Sequence, residues 1–169
     1  MSLSVHESSV PVIIKALTAL SAVLDKGVAQ AAAKGTDEAN YLTMRLVPDM
    51  LPLSTQVRIA CDVPRRGMVR LAGGEPAPME DKEGSFADLQ ARIADTIAVL
   101  EGITPESLEG AEDRTITMPT PRGETLTFTG RDFLFSFILA NLHFHCTMTY
   151  ALLRSAGVEL GKSDYIGGN

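Results

Sequence analysis

Asn141 and His145 are separated by four residues, so on a helix they share one face, in register with Leu134, Ile138, Met148 and Leu152. Both are expected to point inward. A neutral imidazole ligates zinc, nickel, copper or iron, and helical cores assemble such sites from facing helices. A well-held metal takes at least three protein ligands, whereas a His/Asn pair offers one good ligand and one weak one. The competing reading is a buried histidine whose ring nitrogens are satisfied by Asn, Gln, Tyr or water. Gln56 follows Leu53 by three and adjoins Val57, so its amide either meets His145 across the core or lies partly exposed. Asp49, between Pro48 and Met50, reads as the N-cap of a long helix, or else as a carboxylate at the mouth of the core. His143, two positions from His145, projects to another side and is expected at the surface or in a dimer contact. Cys61 and Cys146 read as small buried hydrophobes rather than nucleophiles. No G-x-S-x-G, Walker, G-x-G-x-x-G, H-E-x-x-H or EF-hand pattern is present.

The elements that position these residues follow from hydrophobic period. Val10, Ile13, Leu17, Leu20 and Leu24 recur at spacings of three and four, predicting a first helix from about Glu7 that alanines carry on to Gly35. Thr36-Asp37-Glu38 caps a short second piece. Met50, Leu53, Val57, Ala60, Met68 and Leu71 supply another seam, which Pro64 is expected to kink or interrupt and Gly73-Gly74 to end. Residues 74–84 carry Pro76, Pro78 and four acidic side chains with no apolar period, and read as an exposed crossover. Ser85 with Asp88 caps a helix with Phe86, Leu89, Ile93, Ile97 and Leu100 on one seam. A short turn follows at Thr104-Pro105-Glu106. The period then changes to two. Thr115-Ile116-Thr117-Met118 and Thr125-Leu126-Thr127-Phe128 flank a loop with Pro121 and Gly123, a β-hairpin signal. Thr129 with Asp132 caps the last helix, in which Phe133, Phe137, Ala140, Phe144 and Ala151 form a second face beside that of His145; it ends at Gly157. The expected fold is all-α, a four-helix bundle with a small hairpin inserted before the last helix, in a single domain over residues 1–169.

Composition narrows the function classes. The 169 residues carry 21 acidic and 15 basic side chains, a net charge of −6. Nucleic-acid binders concentrate Lys and Arg, so a nucleic-acid partner is not expected. The two cysteines form neither a disulfide framework nor a zinc ribbon, and the first 30 residues lack a secretory plan, so a cytoplasmic location is expected. Residues 133–153 contain no Asp, Glu, Lys or Arg, but Asn141, His143 and His145 at their middle argue against a membrane span and for a helix covered by protein.

Four stretches carry a family resemblance: Arg45-Leu-Val-Pro-Asp-Met-Leu-Pro-Leu-Ser-Thr-Gln-Val-Arg-Ile-Ala-Cys-Asp62, Glu109-Gly-Ala-Glu-Asp-Arg114, Phe128-Thr-Gly-Arg-Asp-Phe133, and Thr149-Tyr-Ala-Leu-Leu-Arg-Ser-Ala-Gly-Val-Glu-Leu-Gly-Lys162 with Asp164-Tyr-Ile-Gly167. Over nearly the whole chain the sequence resembles the bacterial family catalogued as domain of unknown function nineteen-ninety-three, of the DinB/YfiT-like superfamily. The resemblance implies a four-helix bundle of the up-down-down-up type, frequently homodimeric, with a divalent metal held in many members by three histidines. That metal motif places one histidine on the second helix and two, four apart, on the last, before a Leu-Arg-x-x-Gly-like ending. Counting back from Leu153-Arg154 to Gly157, the second of the pair falls on His145 and the first on Asn141; the nearest second-helix equivalent is Gln56. One histidine of three is retained, which leaves an incomplete ligand set for zinc, nickel or manganese.

Two functions follow as expectations. The first is a homodimeric small-ligand-binding or stress-related protein with Gln56, Asn141 and His145 as a buried polar cluster and Asp49 near its mouth. The second is a metal-dependent or thiol-cofactor-dependent transferase or hydrolase using His145 as ligand or base. Dimerisation is expected because the last helix, with Phe135 and Leu139 added, has more apolar surface than one seam needs.

Overall fold

The computed structural model describes residues 3–119 and 123–168. Its elements are α1 (Val5–Lys34), α2 (Glu38–Leu42), α3 (Leu53–Leu71), α4 (Phe86–Glu101), two 3₁₀ turns (Glu106–Leu108 and Ala111–Asp113), β1 (Thr115–Pro119), β2 (Thr125–Thr129), α5 (Gly130–Asp132), a π-helical stretch (Phe133–Ile138), α6 (Leu139–Ser155) and α7 (Lys162–Ile166). Helical backbone angles continue across the junctions from α5 to α6, so these three segments form one long helix.

Local chemistry sets most boundaries where the sequence places them. Ser4 caps α1 in a reciprocal box with Glu7, and Gly35 ends it in the left-handed conformation at φ 59°. Asp37 caps α2. Ser85 accepts from the Asp88 N–H at the start of α4, while the Asp88 carboxylate accepts from the Gly84 N–H. Thr129 Oγ1 accepts from the Asp132 N–H at the start of the last helix. Two expectations on α3 are corrected. Asp49 is not its cap: it sits exposed in the preceding turn and the cap position is Pro52. Pro52 pushes Leu51 out of the helical region, so no helix extends back to Asp49. Nor does Pro64 interrupt the helix, which runs unbroken to Leu71 with Pro64 buried on its inner face.

Each of the four long helices rests on two others: α1 on α4 and α6, and α3 on α4 and α6. The seams predicted for α1 and α4 are the buried ones, with Ile13, Leu17, Leu24, Leu89 and Leu100 fully inside. The antiparallel hairpin pairs Ile116 with Phe128 and Met118 with Leu126. Phe128 lies 5.5 Å from the Phe133 ring and 5.6 Å from Phe137, which joins the hairpin to the start of the last helix. Pro121 of the hairpin loop lies outside the described residues. Gly130 makes the junction possible, because a Cβ there would fall 1.7 Å from the Ala111 carbonyl oxygen.

The second apolar face expected on the last helix is also corrected. Ala140 and Phe144 are exposed, and the row that joins Leu134, Ile138 and His145 in the core is Leu142, Cys146, Thr149 and Leu153. The π-helical stretch spaces its hydrogen bonds at i to i+5, so a uniform 3.6-residue count carried through it assigns the wrong neighbours. Among the described residues no helix is long and apolar enough to cross a membrane.

Candidate functional site

Gln56 and His145 meet across the α3–α6 seam. His145 Nδ1 stands 2.6 Å from Gln56 Oε1, with Gln56 1% and His145 8% exposed. The assignment of hydrogens follows from the rest of the contact. Gln56 Nε2 donates to the Leu51 carbonyl at 3.0 Å, which fixes the amide with its oxygen toward the ring. His145 Nδ1 therefore carries the proton and donates, and Nε2 keeps its lone pair. Burial pushes the imidazole below its ordinary pKa, so the neutral form prevails. Thr149 Oγ1 donates to the His145 carbonyl, and Phe144 meets the imidazole edge-on at 5.1 Å.

Asn141 does not join this pair by hydrogen bond. Its Nδ2 donates to the Phe137 carbonyl at 2.7 Å, inside the π-helical stretch, where widened spacing alters the usual i to i+4 pairing. Asp49 makes no hydrogen bond to Gln56 or His145 and lies at the surface. His143 is exposed and faces the groove between α1, α6 and α7, where the Tyr165 hydroxyl donates to its carbonyl. Burial raises the thiol pKa of both cysteines, that of Cys146 to about 12, which removes them as nucleophiles near neutral pH.

A divalent metal does not fit this donor set. Among the described residues no group of three or more His, Cys, Asp or Glu side chains is placed to hold a metal ion. Gln56 Oε1 is taken by the imidazole proton and the Asn141 NH₂ is turned to the backbone, so the one unengaged strong ligand is His145 Nε2.

Sequence reasoning missed the charged centre on the other side of α3. Arg92 of α4 is 2% exposed, and its Nη2 donates to both Asp62 carboxylate oxygens at 2.8 and 2.9 Å. Nη1 donates to the Glu80 carbonyl at 3.0 Å and to Glu83 Oε1, and Asp81 lies 3.3 Å from Nη2. Residues 74–84 are thus a strap whose acidic end is clasped by a buried guanidinium, not simply an exposed crossover. The available signal was the position of Arg92, three after Leu89 and beside Ile93, which puts a charge next to the α4 seam.

A cleft of about 470 Å³ opens where α3, β1 and the π-helical stretch meet. Asp62, Arg66 and Arg70 stand on its α3 wall, and Met118, Phe133 and Phe137 supply apolar surface. The Phe133 and Phe137 rings stack at 5.4 Å and 11°. Gly67 lets α3 approach the last helix, since a Cβ there would come within 2.6 Å of Ile138 Cδ1.

This arrangement of long helices with a hairpin before the last of them defines a DinB-like helical protein. The chain is similar to a solved structure, a DinB family member from Shewanella denitrificans, at 36% identity, with 97% of this chain and 92% of that one covered and a TM-score of 0.89. The chain belongs to the family described as Domain of unknown function (DUF1993), whose model matches residues 5–166. No curated protein matches it.

Proposed function

We propose that this protein is a homodimeric four-helix bundle of the up-down-down-up type that binds a small molecule and does not use a three-histidine metal centre. The observation that carries the reading is the closed contact between His145 Nδ1–H and Gln56 Oε1 at 2.6 Å. It spends one ring nitrogen and the amide oxygen on each other and leaves Nε2 as a single acceptor, suited to reading an N–H or O–H of a ligand rather than to holding a metal. The dimer is supported by Phe135 and Phe144, which stay 50% and 53% exposed on the last helix, apolar surface that a second copy would cover.

The test is elemental analysis of the purified protein and of His145→Ala after growth with added zinc, nickel and manganese. Substoichiometric metal in both supports the reading. Near one metal per chain, lost in the variant, overturns it in favour of a metal-dependent transferase or hydrolase. Sedimentation at micromolar concentration tests the dimer, and a single 18 kDa species would contradict it.

A further inference from the structure

Unlike Arg58 and Arg92, Arg66 and Arg70 have no carboxylate within ion-pair distance among the described residues. Four apart on α3, they share a face, and like charges in that relation repel. Partial burial, followed by the neighbouring Arg66 charge, lowers the Arg70 guanidinium pKa, while Glu75 acts in the opposite direction. A protein of net charge −6 thus sets two cations, with no contacting carboxylate among the described residues, beside one cleft. Asp62, on the same wall, has both oxygens held by Arg92 on its far side.

The remaining walls are apolar. Met118, Pro119, Phe133, Phe137 and Val63 line a space of about 470 Å³, within the range of small-molecule pockets. The stacked pair of Phe133 and Phe137 presents flat surface on which a planar group can lie. Guanidinium forks match carboxylate geometry, and two of them on one rim recognise an anionic head. The Asp62 carboxylate at the wall weighs against a dianion such as phosphate. Taken together, we infer that the cleft between α3, β1 and the π-helical stretch binds a small aromatic or apolar monocarboxylic acid, its head on Arg66 and Arg70 and its body against Phe133 and Phe137.

This inference rests on reading the protein as a ligand binder, but its site and its test are separate from His145. The test is calorimetric titration with phenylacetate of the full chain and of the double variant Arg66→Gln/Arg70→Gln, with 2-phenylethanol as the neutral counterpart and inorganic phosphate as competitor. Saturable binding of phenylacetate is expected, weakened about tenfold or more both by the double variant and by loss of the ligand's charge. Phosphate should not displace it. No saturable binding, equal affinity in the double variant, or displacement by phosphate would each overturn the inference. Failure of the broader reading would show separately, as a stoichiometric metal dependent on His145. The double variant is to be compared with the parent by circular dichroism; the arginines lie on the helix surface, so an intact fold is expected.

Discussion

The two sides of α3 solve opposite problems. Toward α4, Arg92 is sealed in and meets carboxylates from α3 and from the strap before α4. Toward α6 and the hairpin, the polar groups are neutral, as in Gln56 and His145, or charged and without ion-pair partners among the described residues, as in Arg66 and Arg70. A buried charge that finds all its partners works as structure, because breaking it leaves the others uncompensated. A polar group with unspent capacity beside a cleft is available to a ligand. The difference separates a fastening from a site within one helix.

The largest effect expected is at the fastening. Arg92→Met leaves Asp62 without its cation and Glu83 with only Arg58, 4.0 Å away, and is expected to cost about 3 kcal/mol, the lower part of the range for breaking a buried pair, because Asp62 and Asp81 retain contact with water. Urea denaturation measures this, and a loss below about 1 kcal/mol would remove the contrast between the two sides. Gln56→Ala comes next. It strands the His145 Nδ1–H and is expected to destabilise by about 1–3 kcal/mol, with no gain on raising the salt concentration, as suits a neutral pair.

A pH dependence sharpens the comparison further. The folded pKa of His145 lies below its unfolded value of about 6.5, so between the two the unfolded chain binds more protons. The contribution of the neutral ring is therefore fully present above about pH 6.5 and is lost as pH falls through the folded value. The slope of stability against pH in that window should flatten in His145→Phe, and an unchanged slope would assign it to other groups. The smallest effect belongs to the rim of the cleft. Arg66→Gln/Arg70→Gln removes no ion pair among the described residues and relieves a repulsion, so stability should change by no more than about 0.5 kcal/mol, or rise. A larger loss in the same denaturation series would mean that the rim also serves the fold.

The helices and hairpin were legible because their signals are local. Asp37, Ser85 and Thr129 cap where the sequence places caps, whereas the Ser4 cap starts α1 earlier than the expected Glu7, and the switch to alternation at Thr115 marks the strands. The meeting of Gln56 with His145 was one of two readings the sequence left open, since both sit in register with apolar seams but the facing of those seams is settled only by packing. The hydrogen bond that turns the Asn141 amide to the Phe137 carbonyl was not legible, because the widening of the helix at residues 133–138 leaves no mark in a run of apolar residues. Arg92 was overlooked for a different reason. Its partners come from another helix and a loop, and a charge beside a seam reads as solvated until they arrive. The cleft likewise needs the hairpin folded against α3 before Met118 and Arg66 share a wall.

The most direct test is long-range ¹H–¹⁵N NMR of the imidazole rings between pH 5.5 and 7.5. For His145 we predict a neutral ring protonated at Nδ1, persisting below pH 6.5 and lost as one tautomer in Gln56→Ala. A ring protonated at Nε2, an imidazolium at pH 6.5, or a nitrogen shifted by metal ligation would contradict the closed Gln56–His145 pair.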